Sequence, residues 1–593
     1  MGKILRINMS DLSHQWETIP KKYQTFAGRA FTSAVIANEV DPTCHPLREF
    51  NKFIVSPGLL AGTPAPSSGR LSVGGKSPLT GGIKEANAGG LTATRLARIG
   101  VHGIIIEGMP KKTDWYSILV RKDKCEFLKT NDYAGIGLYE LITQIWKDND
   151  SEPGIIGCGI AGQRLLRGAG IFGNNIENTD PGRYAGRGGL GAVLGSKRIV
   201  AIISDDTGGS APKPKKEKQF KEGIRALTQA LNEHPVTGKL KDDKGEPYGG
   251  LKNYGTNIIQ NIINEAGGLP TRAFQKGQFE GAAKISGEAV HELVDETREK
   301  FGDKAEGTYA HPCHPGCVMA CSNTVPYAKN GKAQVSPLEY ESAWALGSNL
   351  EIDKLHDVAE LNRLCNDLGL DTIETGNALG MLMAGSYIEF GDGTAAIKAL
   401  KEVYDEKSGI GRQIASGAKA VGEAFGVTRI PVVKGQSLPA YDPRPIRGIG
   451  VTYATSPMGA DHTSGYTIAA EILGIKDEVT DPRKLEKAKL SRDFQATTAY
   501  IDSTGYCLFI AFCILDDDDG FQGMVDSVDG FLGTEIDITE YGMAILKNEL
   551  DFNKRAGFTN KDDRLPDFFK EEPLPPHNVT FDVSDKELDK VHR

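Results

Sequence analysis

The stretch Ser204-Asp-Asp-Thr-Gly-Gly-Ser-Ala-Pro-Lys-Pro-Lys-Lys-Glu-Lys218 separates two parts of the chain that have different sequence patterns. It is polar, charged and contains proline, which is the composition of a linker ahead of a helix. Before it, residues 1–207 alternate short β-rich runs, such as Lys3 to Asn8, with Gly/Pro/Ser loops. After it, apolar residues recur at spacings of three and four over Leu355 to Leu368 and Thr372 to Tyr387, which predicts helices. We therefore predict an α+β protein.

The domain division follows from this change of pattern and from the length. A chain of 593 residues is long enough for several hydrophobic cores. We predict a β-rich domain over residues 1–207 and two mainly α-helical domains over residues 208–430 and 431–593. The second boundary lies ahead of the Pro-rich stretch Pro431 to Pro445.

Charge and hydropathy argue against two classes of partner. The net charge is −9 and the densest group of lysines, Lys213 to Lys218, lies in the linker, so we expect no nucleic acid partner. No run approaches about 18 uninterrupted apolar residues, the length that a membrane span needs. The first residues alternate like a strand and do not form a signal peptide. We therefore expect a cytoplasmic protein that has no membrane partner.

Glycine is unusually frequent in this chain. There are 71 glycines, roughly 12% against a usual level near 7%. Many lie in the first 210 residues, in clusters such as Gly81-Gly82, Gly89-Gly90 and Gly188-Gly189. Backbone without side chains can approach a bulky ligand closely, so the composition indicates a large cofactor.

Three cysteines lie close together in Cys313-His-Pro-Gly-Cys317-Val-Met-Ala-Cys321. Thiolates at this spacing can hold one soft metal centre, and an iron–sulfur cluster would need a fourth ligand from elsewhere. Zinc is an alternative, because His311 and His314 lie beside the thiols, and a site of three cysteines and one histidine would need no distant residue. Three buried cysteines without a metal are a third alternative. Nine cysteines in the whole chain are too few for a disulfide framework.

A further cysteine ends the segment Asp502-Ser-Thr-Gly505-Tyr-Cys507, directly ahead of the apolar run Leu508 to Phe512. Cys507 is a candidate for the missing fourth ligand. The alternative is that it begins a buried segment, as free cysteine commonly does. The local sequence leaves both interpretations open.

Two regions contain the groups needed to bind a polyanion. The stretch Thr63 to Arg70 leads into Lys76 to Gly81, and the loop Asp180 to Gly191 places Arg183 and Arg187 among backbone amides. Amide nests with guanidinium groups bind phosphate oxygens well. The alternative is that both regions are tight turns with solvated arginines.

Taken together and in this order, the segments resemble the aldehyde:ferredoxin oxidoreductase family from residue 1 to about residue 575. The pterin-binding signatures of the family resemble Ala65-Pro-Ser-Ser-Gly-Arg70, Lys76-Ser-Pro-Leu-Thr-Gly81, Ala86-Asn-Ala-Gly-Gly90 and Arg183-Tyr-Ala-Gly-Arg-Gly-Gly-Leu-Gly-Ala-Val193. Its catalytic half resembles Leu338-Glu-Tyr-Glu-Ser-Ala-Trp-Ala-Leu-Gly347, Cys365-Asn-Asp-Leu-Gly-Leu-Asp371, Leu438-Pro-Ala-Tyr-Asp-Pro-Arg444 and Asp502 to Cys507.

The resemblance implies a bis-pterin centre that holds tungsten, or less often molybdenum, with a magnesium ion linking the two pterin phosphates. By position, it implies that Arg70 and Arg183 contact the phosphates and that Asn87 and Gly89 lie near the magnesium. The other implied pterin contacts are Asn366, Leu370, Asp371 and Asp502. The resemblance also implies one [4Fe-4S] cluster, with Arg70 between pterin and cluster, held by Cys313, Cys317, Cys321 and Cys507.

The reaction that the resemblance implies is the reversible oxidation of a small aldehyde to the carboxylic acid. Electrons would leave through the cluster to ferredoxin or to an Fe-S partner subunit, in a homo-oligomer or a hetero-complex. By position, Glu341 would act as a base toward water or the hydrate, and His462 would donate a hydrogen bond to the carbonyl oxygen. From the residues alone, a helix-start carboxylate is the better explanation of Glu341 and a core histidine is the better explanation of His462, and it is the resemblance that favours the catalytic roles.

The chain departs from the family pattern at three places. Asn366 stands where archaeal members carry aspartate, Tyr506 replaces a leucine, and the first gap of the cysteine triplet has three residues where the best-known members have two. These departures predict a divergent branch whose substrate differs from that of the archaeal members.

Two alternatives for the function remain at this point. One is the tungsten subunit of a benzoyl-CoA reductase-like complex. The resemblance to that class implies a cysteine positioned at the metal. No cysteine falls in the segments that flank Glu341 or His462. The other is a subunit that carries the cluster without pterin, which the intact pterin loops disfavour.

The acidic run Asp516 to Asp519 follows the Cys507 segment, where an electron partner would be expected to dock. Ferredoxins are usually acidic, so this charge has the wrong sign for attraction. We predict a solvated turn here, the alternative being that a dedicated Fe-S subunit accepts the electrons.

Overall fold

The computed structural model describes residues 2–149, 152–176, 180–239, 241, 244–245, 250–472 and 486–593. The strands are β1 (Lys3–Asn8), β2 (Ser13–Thr18), β3 (Phe53–Pro57), β4 (Leu71–Lys76), β5 (Ile83–Ala88), β6 (Val101–Glu107), β7 (Tyr116–Arg121), β8 (Lys124–Lys129), β9 (Gly154–Gly157), β10 (Ile171–Gly173), β11 (Arg183–Ala185), β12 (Ile199–Ser204), β13 (Thr308–His311), β14 (Ser322–Pro326), β15 (Ala333–Val335), β16 (Val432–Val433) and β17 (Gln436–Ser437).

The helices are concentrated after the linker. They are α1 (Gly28–Glu39), α2 (Thr92–Arg98), α3 (Leu138–Lys147), α4 (Ile160–Gln163), α5 (Leu190–Ser196), α6 (Glu217–Glu233), α7 (Leu251–Tyr254), α8 (Ile259–Glu265), α9 (Gly287–Phe301), α10 (Tyr340–Leu346), α11 (Leu355–Leu368), α12 (Thr372–Ala384), α13 (Gly393–Lys401), α14 (Gly409–Ile414), α15 (Ala418–Ala424), α16 (Arg447–Thr455), α17 (Ile468–Glu471), α18 (Lys487–Thr504), α19 (Ala511–Ile514), α20 (Asp518–Leu532), α21 (Ile538–Arg555), α22 (Phe568–Glu571) and α23 (Asp585–Leu588). Short 3-10 turns include His462–Ser464 and Leu508–Ile510.

Two six-stranded sheets form the first part of the chain. Their strand orders are β2-β1-β6-β3-β4-β5 and β11-β10-β9-β12-β7-β8. The sheets pack face to face, because inward side chains of both contribute to one hydrophobic cluster that includes Leu5, Ile104, Ile118 and Ile202. Helix α1 covers the other face of the first sheet and α3 covers the other face of the second.

Side-chain alternation in the central strand β6 shows why this arrangement forms. Ile104 and Ile106 are buried between the sheets, whereas Ile105 is buried against α1. Successive residues of a strand point to opposite faces, so a strand covered on both sides needs a continuous apolar run. The run Gly103 to Glu107 supplies three consecutive isoleucines for this purpose.

A helix ending positions one predicted group of site residues. Helix α11 ends at Leu368 and is capped by Gly369, which has a φ of +77°. The amides of Gly369 and Leu370 both donate to the Cys365 carbonyl, at 3.0 and 2.9 Å. Glycine suits this left-handed position because it has no Cβ. The Asp371 side chain then caps α12 by accepting from the Ile373 amide at 2.9 Å.

The α+β class is confirmed, with sheets first and mostly helices after the linker. Strand β1 and helix α11 have the bounds that the sequence pattern predicts, and α12 starts as predicted but ends at Ala384. The run Asp516 to Asp519 is only partly the predicted solvated turn, because Asp517 caps α20 by accepting from the Gly520 amide. The domain boundaries near residues 207 and 430 stay predictions.

No helix among the described residues is long and apolar enough to cross a membrane.

Candidate active site

A cavity of about 460 Å3 lies where the edge strands β5 and β11 meet the helical part of the chain. Every predicted site residue except Cys317 lines it. Asn87 belongs to β5 of the first sheet, Arg70 and Gly89 lie next to strands of that sheet, and Arg183 belongs to the second sheet. The remaining predicted residues follow the linker. The volume lies within the range of about 300–1,000 Å3 that is typical of cofactor and ligand pockets.

One end of the cavity contains the cysteines. The thiols of Cys313 and Cys317 and a ring nitrogen of His314 lie within 4.8 Å of one another. Cys507 is close enough to Cys313 and Cys321 that their charges interact. A hydrogen bond from Cys313 lowers the pKa of Cys317 to about 7, whereas burial raises the pKa of Cys507 to about 11.

Ser67 connects the two cysteine segments. Its carbonyl accepts from the Cys507 amide at 2.8 Å, and its own amide donates to the Gly316 carbonyl at 2.8 Å. The Ser67 hydroxyl also accepts from the Val318 amide at 3.0 Å. Because of these bonds, the loop that ends at Arg70 holds Cys507 beside the triplet although the two segments are far apart in the sequence.

His314, the histidine of the zinc alternative, has one ring nitrogen without a protein partner among the described residues. The Nδ1–H of this buried ring donates to the Pro315 carbonyl at 3.0 Å, and Nε2 has no hydrogen-bond partner among the described residues. A histidine that donates through one nitrogen commonly offers the other to a metal. Among the described residues, Cys313, His314 and Cys317 are the donors within 4.8 Å of one another, whereas Cys321 and Cys507 are near enough for their charges to interact with the thiol of Cys313.

The cations of the two predicted polyanion loops divide into two groups. Lys76 is directed away from the cavity and donates to the carbonyls of Pro42 and Cys44. Arg187 donates hydrogen bonds to other parts of the protein, from Nη1 to the Ala460 carbonyl at 2.6 Å and from Nη2 to the Ser437 carbonyl at 2.5 Å. Arg70 and Arg183 line the cavity, and Arg183 Nε has no hydrogen-bond partner among the described residues. Binding of a polyanion by these two arginines stays a prediction.

The cavity wall fits a large polar cofactor. Several of its buried polar atoms have no hydrogen-bond partner among the described residues, namely Glu85 Oε1, Arg183 Nε, Tyr340 OH, Glu341 Oε1, Asn366 Nδ2 and His462 Nδ1. Buried polar groups are nearly always paired, so these atoms are suited to contact a ligand or water. A Cβ added at Gly186 would meet Tyr184 Cβ at 3.9 Å and Asp371 Oδ1 at 4.0 Å, which are ordinary contacts, so the backbone there is not tightly covered by protein.

Glu341 and His462 face each other in this cavity. Helix α10 is anchored by the buried Trp344, whose Nε1 donates to the Pro270 carbonyl at 2.8 Å. In its first turn, Glu341 Oε2 accepts from the Ala440 amide at 2.9 Å, and Oε1 lies 3.4 Å from His462 Nε2. Burial raises the pKa of Glu341 to about 8 and lowers the pKa of His462 to about 4. At neutral pH the pair therefore carries its proton on the carboxyl group.

Several charged residues of this region do not appear among the predicted ones. Lys84 pairs with Asp461 at 2.8 Å, and Arg29 pairs with Glu549 at 2.9 Å and with Asp502 at 3.3 Å. One local sequence feature could have indicated the Lys84–Asp461 pair, namely a lysine inside a strand that joins two glycine clusters. Tyrosines also line the cavity, and the hydroxyls of Tyr441 and Tyr466 lie 2.6 Å apart.

Two family models cover most of the chain. "Aldehyde ferredoxin oxidoreductase, N-terminal domain" matches residues 4–206, and "Aldehyde ferredoxin oxidoreductase, domains 2 & 3" matches residues 236–592. The chain belongs to the aldehyde ferredoxin oxidoreductase family. The resemblance stated from the sequence motifs is thereby confirmed, and the protein is an oxidoreductase of this family.

Relatives in this family match the chain over nearly its whole length. A tungsten-containing aldehyde ferredoxin oxidoreductase of Pyrococcus furiosus is 35% identical over 597 residues, covering 97% of this chain and 92% of the relative. That of Thermococcus kodakarensis is also 35% identical, with the same coverage. The aliphatic sulfonate oxidoreductase, WOR-like subunit, of Pyrococcus furiosus is 27% identical and covers 79% of this chain and 76% of its own length.

A solved structure has a similar fold. It is the active site complex BamBC of benzoyl coenzyme A reductase in complex with 1,5 dienoyl-CoA, with a TM-score of 0.75. The match covers 100% of this chain and 93% of that chain at 16% identity. At this identity the likeness shows the fold alone.

Proposed function

We propose that the protein oxidises an aldehyde to the carboxylic acid at a tungsten bis-pterin centre, with electrons leaving through one [4Fe-4S] cluster. The observation that carries this proposal is the largely buried Glu341–His462 pair in the same cavity as Arg70, Arg183 and the cysteine thiols. Membership of the family supports the reaction type and the tungsten pterin.

The cofactor contacts follow from the polar atoms on the cavity wall. Arg70 and Arg183 would bind the pterin phosphates, and Asn87 with Gly89 would lie near a magnesium ion. Asn366, Leu370, Asp371 and Asp502 would contact the pterins, and the cluster ligands would be Cys313, Cys317, Cys321 and Cys507. When bound, the tungsten centre would supply a two-electron acceptor. Cys317 is the cluster ligand outside the cavity lining and is half-buried, which suits an exit for single electrons.

The reaction adds one water oxygen to the carbonyl carbon. In the overall reaction, one aldehyde and one water give one carboxylic acid, two electrons and two protons. In its ionised form, Glu341 would accept a proton from the attacking water or hydrate, and neutral His462 would donate a hydrogen bond to the carbonyl oxygen. A carboxyl group whose pKa is about 8 is a stronger base than an ordinary glutamate, and it ionises close to physiological pH.

For the electron acceptor, we propose ferredoxin or an Fe-S partner subunit. The protein would work as a homo-oligomer or in a hetero-complex with that subunit. The relatives' names include ferredoxin, which supports the first acceptor.

The benzoyl-CoA reductase-like alternative has less support. Among the described residues, the cysteines that line the cavity are Cys313, Cys321 and Cys507, and all three are proposed cluster ligands. No further cysteine of the described lining is left to bind a metal beside Glu341 and His462.

The test combines elemental analysis of the purified protein with an aldehyde panel that uses a viologen dye as acceptor. We expect about four iron and one tungsten, or molybdenum, per chain, and aldehyde-dependent dye reduction. Zinc in place of iron would contradict the cluster. A fully metallated protein that reduces no dye with any aldehyde would contradict the reaction.

A further inference from the structure

A buried ion pair lies next to the catalytic pair. Lys84 Nζ is 2.8 Å from Asp461 Oδ2, and the two side chains are 1% and 7% exposed. Lys84 belongs to β5 of the first sheet, whereas Asp461 directly precedes His462 and lines the cavity. Burying two charges costs much of what their attraction returns, so stability alone is a weak explanation for such a pair.

Asp461 holds the turn that carries His462. Its Oδ1 accepts from the Thr463 amide at 3.2 Å and from the Thr463 hydroxyl at 2.9 Å, which caps the short turn His462–Ser464. On the other side, the Ala460 carbonyl accepts from Arg187 at 2.6 Å and from Gln436 at 2.6 Å. The backbone at His462 is thus fixed from both sides, and Asp461 is one of its two anchors.

The backbone at Gly188 packs closely against the stem of Lys84. Gly188 has a φ of +84°, and a Cβ added there would overlap Lys84 Cγ and lie 2.7 Å from Cδ. The backbone of the second sheet's glycine cluster therefore covers the stem of the lysine. Only glycine allows this close approach without a clash.

We infer that Lys84 and Asp461 are positioning residues for His462: the lysine anchors the aspartate, and the aspartate fixes the turn that directs the imidazole toward Glu341. This inference rests on the proposed function, because that function gives Glu341 and His462 their roles. The pair acts through His462 and does not itself contact the reacting atoms.

The charges of the pair act on the catalytic residues in opposite directions. Burial has the largest effect on both pKa values, but Asp461 raises the pKa of Glu341 and of His462, whereas Lys84 lowers that of His462. The other charged or titratable groups that face the catalytic residues are Arg187, Asp371, Tyr340, Tyr441, Tyr453 and Tyr466. None of these changes in the variants described next.

The experiment compares Lys84→Met, Asp461→Asn and the double variant as metallated enzymes. Each single variant should lower kcat on the order of 10-fold to 10²-fold with little change in KM, because a misplaced catalytic group slows the reaction itself. Lys84→Met leaves Asp461 without the charge of its ion-pair partner. In this variant the ascending limb of the pH profile of kcat/KM should therefore move to higher pH. Asp461→Asn moves this limb to lower pH, and the double variant should follow Asp461→Asn. Lys84→Arg keeps a cation and should restore most of kcat.

Crystal structures of the same variants provide a readout that does not depend on turnover. We expect a longer separation between His462 Nε2 and Glu341 Oε1 in Lys84→Met and Asp461→Asn than in the parent, and the parent separation in Lys84→Arg. If the parent enzyme oxidised no aldehyde, the proposed function would fail, while these structures would still test the positioning role.

Lys434→Met is the matched control. Lys434 is a buried lysine paired with Asp563 at 2.6 Å, outside the cavity lining. This variant should lose stability but keep the pH profile and the His462 position of the parent. If Lys84→Met and Asp461→Asn shift the limb in the same direction, or behave like Lys434→Met, the positioning role is wrong.

Discussion

Glu341 Oε1 and His462 Nε2 lie 3.4 Å apart in the cavity wall, and both side chains are largely shielded from solvent. Removal from water disfavours the charged form of each group, so burial raises the pKa of the acid and lowers that of the base. The order of the two pKa values is thereby reversed from that in water. As a result, the resting pair is a neutral carboxyl group beside a neutral imidazole, and the carboxyl group is the group that ionises near physiological pH.

Glu341→Gln tests the proposed base directly. The amide keeps the shape and can still accept a hydrogen bond from Ala440, so tungsten and iron should remain bound. It cannot accept a proton, so turnover should fall on the order of 10²-fold or more. Steady-state kinetics with dye reduction, together with metal content, would measure both effects. Near-normal turnover by a fully metallated variant would remove Glu341 from the mechanism.

The pH dependence of the parent enzyme follows from the same pair. A base acts in its ionised form, so kcat/KM should rise with pH and level off above a pKa of about 8, the value for Glu341. His462, with a pKa of about 4, is already neutral below that range and adds no second limb near neutrality. An aldehyde whose own hydration is independent of pH should be used. A profile that falls between pH 6 and 8 would contradict the assignment.

At the scale of elements, the cysteine end of the cavity depends on three loops meeting at Ser67. The chain reverses tightly there, since Ser67 has a φ of +54° and Gly505 has a φ of +88°. A Cβ at Gly505 would lie 2.8 Å from the Ser68 carbonyl, so the segment before Cys507 approaches this loop at backbone contact. The position of Cys507 is therefore set by backbone packing and not by its own side chain.

Cys507→Ser should lose or destabilise the cluster. A serine oxygen is a hard, weakly acidic donor and replaces a thiolate poorly at iron. Iron per chain and the visible and EPR spectra of the cluster are the measurements. Cys513→Ser is the control, because this buried thiol lies six positions later and outside the cavity lining, and it should leave the cluster unchanged. Retention of full metal by Cys507→Ser, with loss in His314→Ala, would instead favour a zinc site of three cysteines and one histidine.

The elements and the residue pairs differ in how far sequence patterns predict them. Helix α11 has its predicted bounds, because its apolar spacing and its terminal Gly369 are both local features. The Lys84–Asp461 and Arg29–Glu549 pairs could not be predicted, since their partners stand 377 and 520 positions apart and no local pattern links them. The same reason explains why the sequence predicts Lys76 at a polyanion, whereas the lysine instead binds two carbonyls of a neighbouring loop.

At the scale of the whole molecule, one buried network joins helix α1, which covers the first sheet, to the C-terminal helices. Arg29 of α1 is paired through Nε and Nη2 with Glu549 of α21 and through Nη1 with Asp502 of α18. The Ser33 hydroxyl donates to the same glutamate at 2.7 Å. Because Asp502 also lines the cavity, this network connects the packing of the two ends of the chain with the proposed cofactor site.

Arg29→Met should destabilise the protein by about 3–5 kcal/mol, because it leaves the Glu549 carboxylate buried without its partner. The double variant Arg29→Met with Glu549→Gln removes both charges and should recover most of this loss. Thermal unfolding of the metallated protein, followed together with metal release, is the measurement. Since Asp502 loses its counter-charge in both variants, metal release should begin at a lower temperature than in the parent.

Lys332→Met serves as the control, because its pair with Glu306 joins side chains that are 58% and 46% exposed. Exposed pairs contribute at most about 1 kcal/mol, so this variant should unfold nearly as the parent does. An unfolding midpoint of Arg29→Met that equals the midpoint of Lys332→Met would show that the network does not hold the two ends of the chain together. A double variant no more stable than Arg29→Met would show that the lost packing of the arginine stem, and not the unpaired charge, causes the destabilisation.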